Sequence, residues 1–531
     1  MSTETAIARP SVRGMPALVL VLLYVALTFG PAFAASLIGD ANAPTYWSLL
    51  GRVSGIAALA MFLMQFVTSG RYETISGRIG LDRSMSFHRV AAYGAILMVA
   101  VHVTAFVLRG RAVWSFDRLW ERFVAYLVDP AMLTGVVSIA LALVLMPIAI
   151  FLRRGPLPYA WWRVLHGLLA LAVGGFALHH SIDNARYFAD PYGSTAIYAL
   201  AFIAGLALGV VYLVRPFLAF RFGYRVTSVR DLSPSITELV LDAPGTSRFR
   251  FEAGQFVWMT VDGKHTITDN PFSIASAPAE LPRLRFLIRK AGDMTRAVVG
   301  LKPGTRIGID GPHGSFTLAE GGSGPLVLIA GGIGIAPVLS LLRHLVASGD
   351  TRLVRLLVTA RTPADHVARA EIEAMAAGRD MKTLLLVKED VGTGFEIGRC
   401  ERKNVENILD GIDRSAATAF VCGSPRIMDT AVGHLLDLGL KPGHVVMERF
   451  DYDGAHDAIS SALRRRLVAL LTAVFIGVAA LAWFVFSPEN SGSGGHQDGE
   501  TIVTDNNQRG SAGRGGGQGW GRPGNGEPHE D

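Results

Sequence analysis

Six stretches of this chain are apolar for about as long as a lipid bilayer is thick. They run over roughly 15–37, 47–68, 90–108, 131–152, 159–180 and 195–214. Each approaches the roughly 20 residues that an α-helix needs to cross a hydrocarbon core of about 30 Å. Backbone amides find no water in lipid, so such a stretch must close its hydrogen bonds on itself as a helix. Residues 46–216 therefore read as a membrane bundle, preceded by a segment 1–45. The first run has arginines before it and AFAA at 32–35 after it, so it fits either a retained helix or a secretory signal peptide. A seventh run, LVALLTAVFIGVAALAWFVF at 467–486, follows Arg464, Arg465 and Arg466 and reads as a further spanning helix over 464–486.

Basic loops mark the cytoplasmic side of such a bundle. Arg71, Arg78, Arg83 and Arg89 lie in one loop, Arg153, Arg154 and Arg163 in the next alternate turn, and Arg215, Arg221 and Arg225 after the sixth run. All share one side, which the expectation takes as the cytoplasm of a bacterial-type plasma (inner) membrane. The loop at 109–122 is also basic and weakens that assignment. The same logic across the seventh helix puts the tail 487–531 outside, and its Gly-rich composition cannot bury a core.

From about 222 the pattern changes. Short alternating segments such as YRVTSV and QFVWMTV, broken by Gly and Pro, predict an antiparallel β-barrel over 222–320. LVLIA, a helical stretch and RLLVTA then predict an α/β domain over 325–453. With 50% hydrophobic and 18% charged residues in 531, the chain is part membrane and part soluble. The basic residues flank apolar runs instead of forming a stripe on a soluble face, so no nucleic-acid partner is expected. Cys400 and Cys422 match neither a zinc nor a CxxC spacing.

The membrane runs carry histidines. His88 and His102 lie on one helix, and His166 with the pair His179–His180 on a later one. His88 and His166 fall at the cytoplasmic ends, His102 and His179/His180 toward the outer ends. A polar ring in lipid needs a partner. Two levels with two rings each suit two stacked haems held by bis-imidazole ligation. Fourteen residues along a helix span about 21 Å, which fits the bilayer core. They also return to within about 40° of the starting face, whereas thirteen land about 140° away. Helix geometry thus favours His180 as the partner of His102. The competing reading makes these rings helix-packing or proton-path groups of a transporter, which leaves the soluble half unexplained.

In the soluble half, DNPFSIASAP (269–278), IRKAGDMT (288–295) and IDGPHGSF (309–316) precede LIAGGIGIAPVLSLL (328–342). A Gly-rich turn between strand and helix lets backbone N–H groups approach a pyrophosphate. In this order the elements resemble the ferredoxin–NADP reductase superfamily. Joined to the histidine-bearing helices, and with VCGSP at 421–425, the chain resembles the ferric reductase/NADPH oxidase family over roughly 47–453.

The resemblance implies FAD, two b-type haems and NADPH or NADH as cofactors. It implies that Pro271, Phe272 and Ser273, with Asn270 before them, line the flavin, and that Gly292, Met294 and Thr295 hold its phosphates. Gly331, Gly332, Ile333, Gly334 and Pro337 would bind the dinucleotide pyrophosphate, with Cys422 and Gly423 near the nicotinamide and Phe450 over the flavin ring. Family spacing pairs His88 with His166 and His102 with His179. Asn270 stands where relatives carry His or Arg, and Phe106 where oxidases often carry a second His. Arg361 suits a 2′-phosphate and favours NADPH. The expected activity is electron transfer from cytoplasmic NAD(P)H across the lipid bilayer to a small external acceptor. A ferric chelate is the first choice and O2, giving superoxide, the alternative. A third reading has the tail dock a periplasmic partner that receives the electrons.

Overall fold

The computed structural model describes residues 14–37, 46–108, 115–151, 159–184, 191–221, 223–243, 249–261, 269–290, 295, 298–318, 322–388 and 395–448. The seventh apolar run and the Gly-rich tail lie outside them, so the expected C-terminal helix has no structural description.

Six helices among the described residues are long and apolar enough to cross a membrane. They are built on α1 (Ala17–Leu37), α2 (Tyr46–Thr68), α4 (Leu81–Val107), α6 (Leu133–Phe151), α7 (Tyr159–Asn184) and α8 (Pro191–Gly209). Between α2 and α4 lies the short α3 (Glu73–Ile79), and between α4 and α6 the helix α5 (Phe116–Val128). A π-helical turn, Val210–Val214, joins α8 to α9 (Arg215–Arg221). α2 is the central helix and packs on α1, α4, α7 and α8. Many buried positions of the bundle are small, Ala57, Ala58, Ala60, Ala91, Ala95 and Ala105 among them, beside larger ones such as Leu59, Leu63, Met64 and Ile197. Larger apolar side chains such as Leu18, Leu168 and Phe202 point outward. Lipid is as apolar as leucine, so helices associate by close backbone approach, which small residues permit.

Two elements depart from the sequence expectation. α4 starts at Leu81, about two turns before the apolar run. Its extra turns are paid for by protein contact: Leu81 and Met85 pack on Phe256 and Trp258 of the soluble half. The segment expected as a basic loop contains α5, capped by the Ser115 hydroxyl accepting from the Arg118 amide. Its exposed Phe116, Trp120 and Leu127 share one face.

The first soluble sheet holds β1 (Tyr224–Asp231), β2 (Ile236–Asp242), β3 (Phe256–Val261), β4 (Asn270–Ser273), β5 (Arg283–Arg289) and β6 (Arg306–His313). Its order is β4-β3-β6-β1-β2-β5, with antiparallel pairing. The expected barrel is not closed. Among the described residues no ladder joins the edges β4 and β5; the bridge Ile274–Phe286, with the Ala275 amide donating to the Arg285 carbonyl, crosses that seam. The four-residue β4 is too short to span the gap, so the sheet stays open.

The second sheet holds β7 (Leu326–Gly331), β8 (Val354–Ala360), β9 (Met381–Val387), β10 (Glu396–Ile397), β11 (Thr418–Cys422) and β12 (Val445–Met447). All pairs are parallel, in the order β10-β9-β8-β7-β11-β12. Helices α10 (Ile335–Ala347), α11 (Arg369–Ala377), α12 (Arg402–Leu409) and α13 (Pro425–Asp437) accompany it. Its strands read as continuous apolar runs because both faces are covered. The chain order reverses between β7 and β11, which makes their carboxyl ends the crevice of the fold. The two sheets are tied together at α10: the Ser340 hydroxyl donates to the Ser276 carbonyl (2.7 Å), and Arg343 to the Ala275 carbonyl (2.7 Å).

Candidate functional site

The histidines of the bundle form two pairs. His166 lies close enough to His88, and His180 to His102, for their ring charges to interact. His102 Nδ1 is 2.7 Å from the Gly51 carbonyl of α2. That oxygen can only accept, so Nδ1 carries the proton and Nε2 is left with a free lone pair. His88 Nδ1 lies 3.2 Å from Thr68 Oγ1, with the Gln65 amide within 2.6 Å. His166 stacks on Trp162 with ring centroids 5.2 Å apart, and its buried Nδ1 has no hydrogen-bond partner among the described residues. His180 Nδ1 is 3.3 Å from the Asn184 amide.

His179 is placed otherwise. Its side chain is 62% exposed, and Nδ1 lies 3.0 Å from Asp183 one turn on. The structure thus brings His102 together with His180 and turns His179 outward. The rings of the outer pair also lie over glycines: a Cβ at Gly55 would meet His102, and one at Gly135 would meet His180. Phe106 stands edge-on to His102, with centroids 5.0 Å apart.

Asn270, Pro271, Phe272 and Ser273 make up β4, paired with Met259, Trp258, Val257 and Phe256 of β3. All are partly exposed on this edge strand. Thr295 is described, whereas Gly292, Met294 and Phe450 lie outside the described residues. In the second sheet, Gly331 ends β7, and Gly332 has φ +57°, a left-handed conformation open to glycine. Gly334 follows at the start of α10, where a Cβ would strike the Cys422 carbonyl at the end of β11. A Cβ at Gly423 would press on the Gly331 backbone at 3.1 Å. The residues expected to hold a dinucleotide thus converge on the crevice where strand order reverses. Pro337 is buried in the first turn of α10, and Arg361 is exposed just beyond β8.

Cys422 is buried, which pushes its thiol up to about 12, with the nearby Glu448 carboxyl adding to the effect. It stays a neutral thiol at physiological pH and is no nucleophile. Glu448 is a residue that sequence reasoning missed. Burial, then the charge of Asp82 in the first turn of α4, pushes it well above the usual carboxylate range. Its Oε1 has no hydrogen-bond partner among the described residues.

Also missed was the ion-pair cluster where the bundle meets β4. Asp269 is buried and binds Arg71 (2.7 Å) and Arg163 (2.8 Å). Arg215 reaches Asp310 at 3.5 Å. Burial alone would raise the Asp310 carboxyl; the His313 ring with Arg215 and Arg71 outweighs that and holds it below the usual range. The arginines were legible as basic loops, but no local signal in the sequence pairs them with residues so far along the chain.

Comparison with known proteins agrees with this layout. Residues 54–177 match the ferric reductase like transmembrane component, 224–318 the oxidoreductase FAD-binding domain and 328–433 the oxidoreductase NAD-binding domain. The reductase component of propane 2-monooxygenase from Gordonia sp. (strain TY-5) is 34% identical over 39% of this chain and 61% of its own length. The match thus spans about three fifths of that relative. Ferredoxin–NADP reductase B of Sorangium cellulosum is 31% identical over 43% of this chain and 98% of its own. A ferredoxin NADP+ reductase structure from Neisseria gonorrhoeae, with bound FAD and NADP, aligns at 21% identity and TM-score 0.39, covering 43% of this chain and 97% of that one. The soluble half is thus an NAD(P)H-dependent flavin oxidoreductase unit, continuous with a multi-pass membrane bundle, and the chain joins a ferric-reductase-like transmembrane component to FAD- and NAD-binding oxidoreductase domains.

Proposed function

We propose that this protein moves electrons from cytoplasmic NAD(P)H through FAD and two b-type haems to a ferric chelate on the far side of the membrane. The observation that carries the reading is the pairing of His88 with His166 and of His102 with His180. A haem asks the protein for two axial nitrogens, and each pair offers two imidazoles. The fit extends to the surroundings: His102 has its Nδ1 bonded to a carbonyl and His88 has the Thr68 hydroxyl at its Nδ1, as ligating histidines usually do. His180 replaces His179 as the proposed outer ligand, because His179 faces away and is engaged by Asp183.

When bound, FAD converts a two-electron reductant into single electrons and the haems pass these across the bilayer. The chain's own residues bind and orient. Gly331–Gly334, Ile333 among them, and the N-terminus of α10, with Pro337, would hold the pyrophosphate of NAD(P)H, with Cys422 and Gly423 as a neutral wall beside the nicotinamide. Pro271, Phe272 and Ser273 would line the flavin, Asn270, Gly292, Met294 and Thr295 its phosphate side, and Phe450 would stack on its ring. Arg361, exposed beyond β8, would meet a 2′-phosphate and select NADPH over NADH. The bundle ends that touch the soluble half carry Arg71, Arg163 and Arg215, which supports a cytoplasmic soluble half. Phe106 covers one edge of His102 and favours transfer to an external chelate over oxygen binding at the outer haem.

A reduced-minus-oxidised spectrum of the membrane-extracted protein, started with NADPH and then with NADH, tests the path. A b-type spectrum that develops faster with NADPH supports it, and absence of haem returns the histidines to packing or proton carriage. Ferric-citrate reduction by sealed vesicles, with and without superoxide dismutase, separates the chelate from oxygen. The assay repeated on a chain ended at 486 tests whether the tail serves a periplasmic partner.

A further inference from the structure

Asp269 is the residue before β4, the strand that would line the flavin, and its side chain is only 1% exposed. Both of its oxygens are used. Oδ2 accepts from Arg71 Nη1 at 2.7 Å, and Oδ1 accepts from Arg71 Nη2 at 3.2 Å and from Arg163 Nη1 at 2.8 Å. The two arginines come from different parts of the bundle, and each sits beside one inner histidine. Arg163 precedes His166 by three residues, one helical turn of α7. Arg71 follows Thr68 by three residues, and the Thr68 hydroxyl touches His88 Nδ1. The Arg71 guanidinium also lies flat on Trp258, 3.8 Å from the ring, and Trp258 pairs with Pro271. A third arginine braces the first: Arg215 Nη2 donates to the Arg71 carbonyl at 2.6 Å while Nη1 faces Asp310.

A buried ion pair gains little stability over an apolar contact of the same shape; its best-attested use is to fix one arrangement among several. We infer that Asp269 is a positioning residue, a single carboxylate that ties α7, which carries His166, and the end of α2, whose Thr68 touches His88, to the flavin strand and sets the geometry for electron entry into the bundle. The inference rests on the haem reading above. An apolar seam could slide; a carboxylate gripped by a forked guanidinium and a second arginine cannot without leaving a buried charge bare.

The test uses the full chain in lipid nanodiscs, with Asp269→Asn, Asp269→Glu and, as a milder break, Arg163→Gln. Three signals are followed: haem reduced by dithionite, flavin bleaching by NADPH, and haem reduction by NADPH. Hydrogen exchange of residues 269–273 and 68–72 is measured beside them. With Asp269→Asn we expect dithionite-reducible haem and flavin bleaching to stay near wild type, while haem reduction by NADPH falls by about tenfold or more, since misplacement near 1 Å can cost up to about a hundredfold. Exchange at both segments should rise, Arg163→Gln should fall between, and Asp269→Glu should recover most of the rate. Haem reduction that keeps pace with flavin bleaching in Asp269→Asn, or unchanged exchange in both segments, overturns the inference. Wild-type protein without dithionite-reducible haem overturns the haem reading instead, which keeps the two failures distinct.

Discussion

The bundle and the soluble half bury opposite kinds of residue. Around α2 alanines stand beside Leu59, Met64 and Ile197 with no buried aromatic among them, whereas Phe256, Phe286, Phe316 and Phe420 head the largest fully buried side chains among the described residues. Water drives large apolar groups inward; lipid does not, and leaves close approach and specific polar contacts to hold helices together. One chain therefore follows two packing rules, and the rules should fail under opposite substitutions.

The largest expected effect removes a contact that only the bundle makes. On the proposed haem reading, His166→Ala should abolish roughly half of the b-type absorbance, because one of the two proposed sites would lose an imidazole. Flavin content and thermal unfolding of the soluble half should not change. Absorbance that survives in full would break the comparison at its base.

The next pair tests packing itself. Phe420→Ala should destabilise the soluble half by about 3–5 kcal/mol, since it empties a fully buried site. In the bundle the harmful direction is reversed: Ala57→Leu should cost about 1–3 kcal/mol by forcing α2 from its neighbours. Detergent-resistance and urea titrations of the two variants measure both. Equal tolerance of Ala57→Leu and of an exposed Leu18→Ala would mean that small residues are incidental to the bundle.

A smaller effect is expected in the crevice. Gly334→Ala sets a Cβ against the Cys422 carbonyl, so KM for NADPH should rise about tenfold, with the flavin spectrum unchanged. Steady-state kinetics with ferricyanide reads this without the bundle.

The smallest effect concerns Glu448, whose carboxyl is raised by burial and by Asp82. A raised value in the folded state means that stability is fully present below the unfolded value of about 4.3 and is lost as pH rises toward the folded one. Glu448→Gln should remove that dependence, raising the unfolding midpoint by a few degrees more at pH 8 than at pH 5 (roughly 1 kcal/mol). A parallel shift at both pH values would show that Glu448 is ionised in the fold.

Much of this architecture was legible from periodicity. The membrane spans follow from run length, and the nucleotide turn from GGIGIAP between a strand and a helix. The departures have physical causes. α4 extends beyond its apolar run because Leu81 and Met85 find protein instead of lipid. For the outer ligand the family spacing favoured His179 over His180, but His179 turns outward toward Asp183, so the proposal moves to His180, a rotation no local motif marks. Asp269 with Arg71 and Arg163 was not legible, because 198 and 106 residues separate the partners and nothing local marks them.

The π-helical turn at Val210–Val214 has a consequence for how such a chain can change length. A π turn holds one residue more than an α turn, so it shifts the register of everything after it by about 100°. Arg215 is the next residue, and its hold on Arg71 and Asp310 depends on that offset. Deleting any one valine there would leave composition and hydropathy almost untouched, yet swing Arg215 off the seam. Insertions and deletions between Gly209 and Arg215 should therefore be tolerated far less than substitutions. A chimera that grafts a foreign flavin module onto this bundle must count residues from Gly209 before it matches sequence.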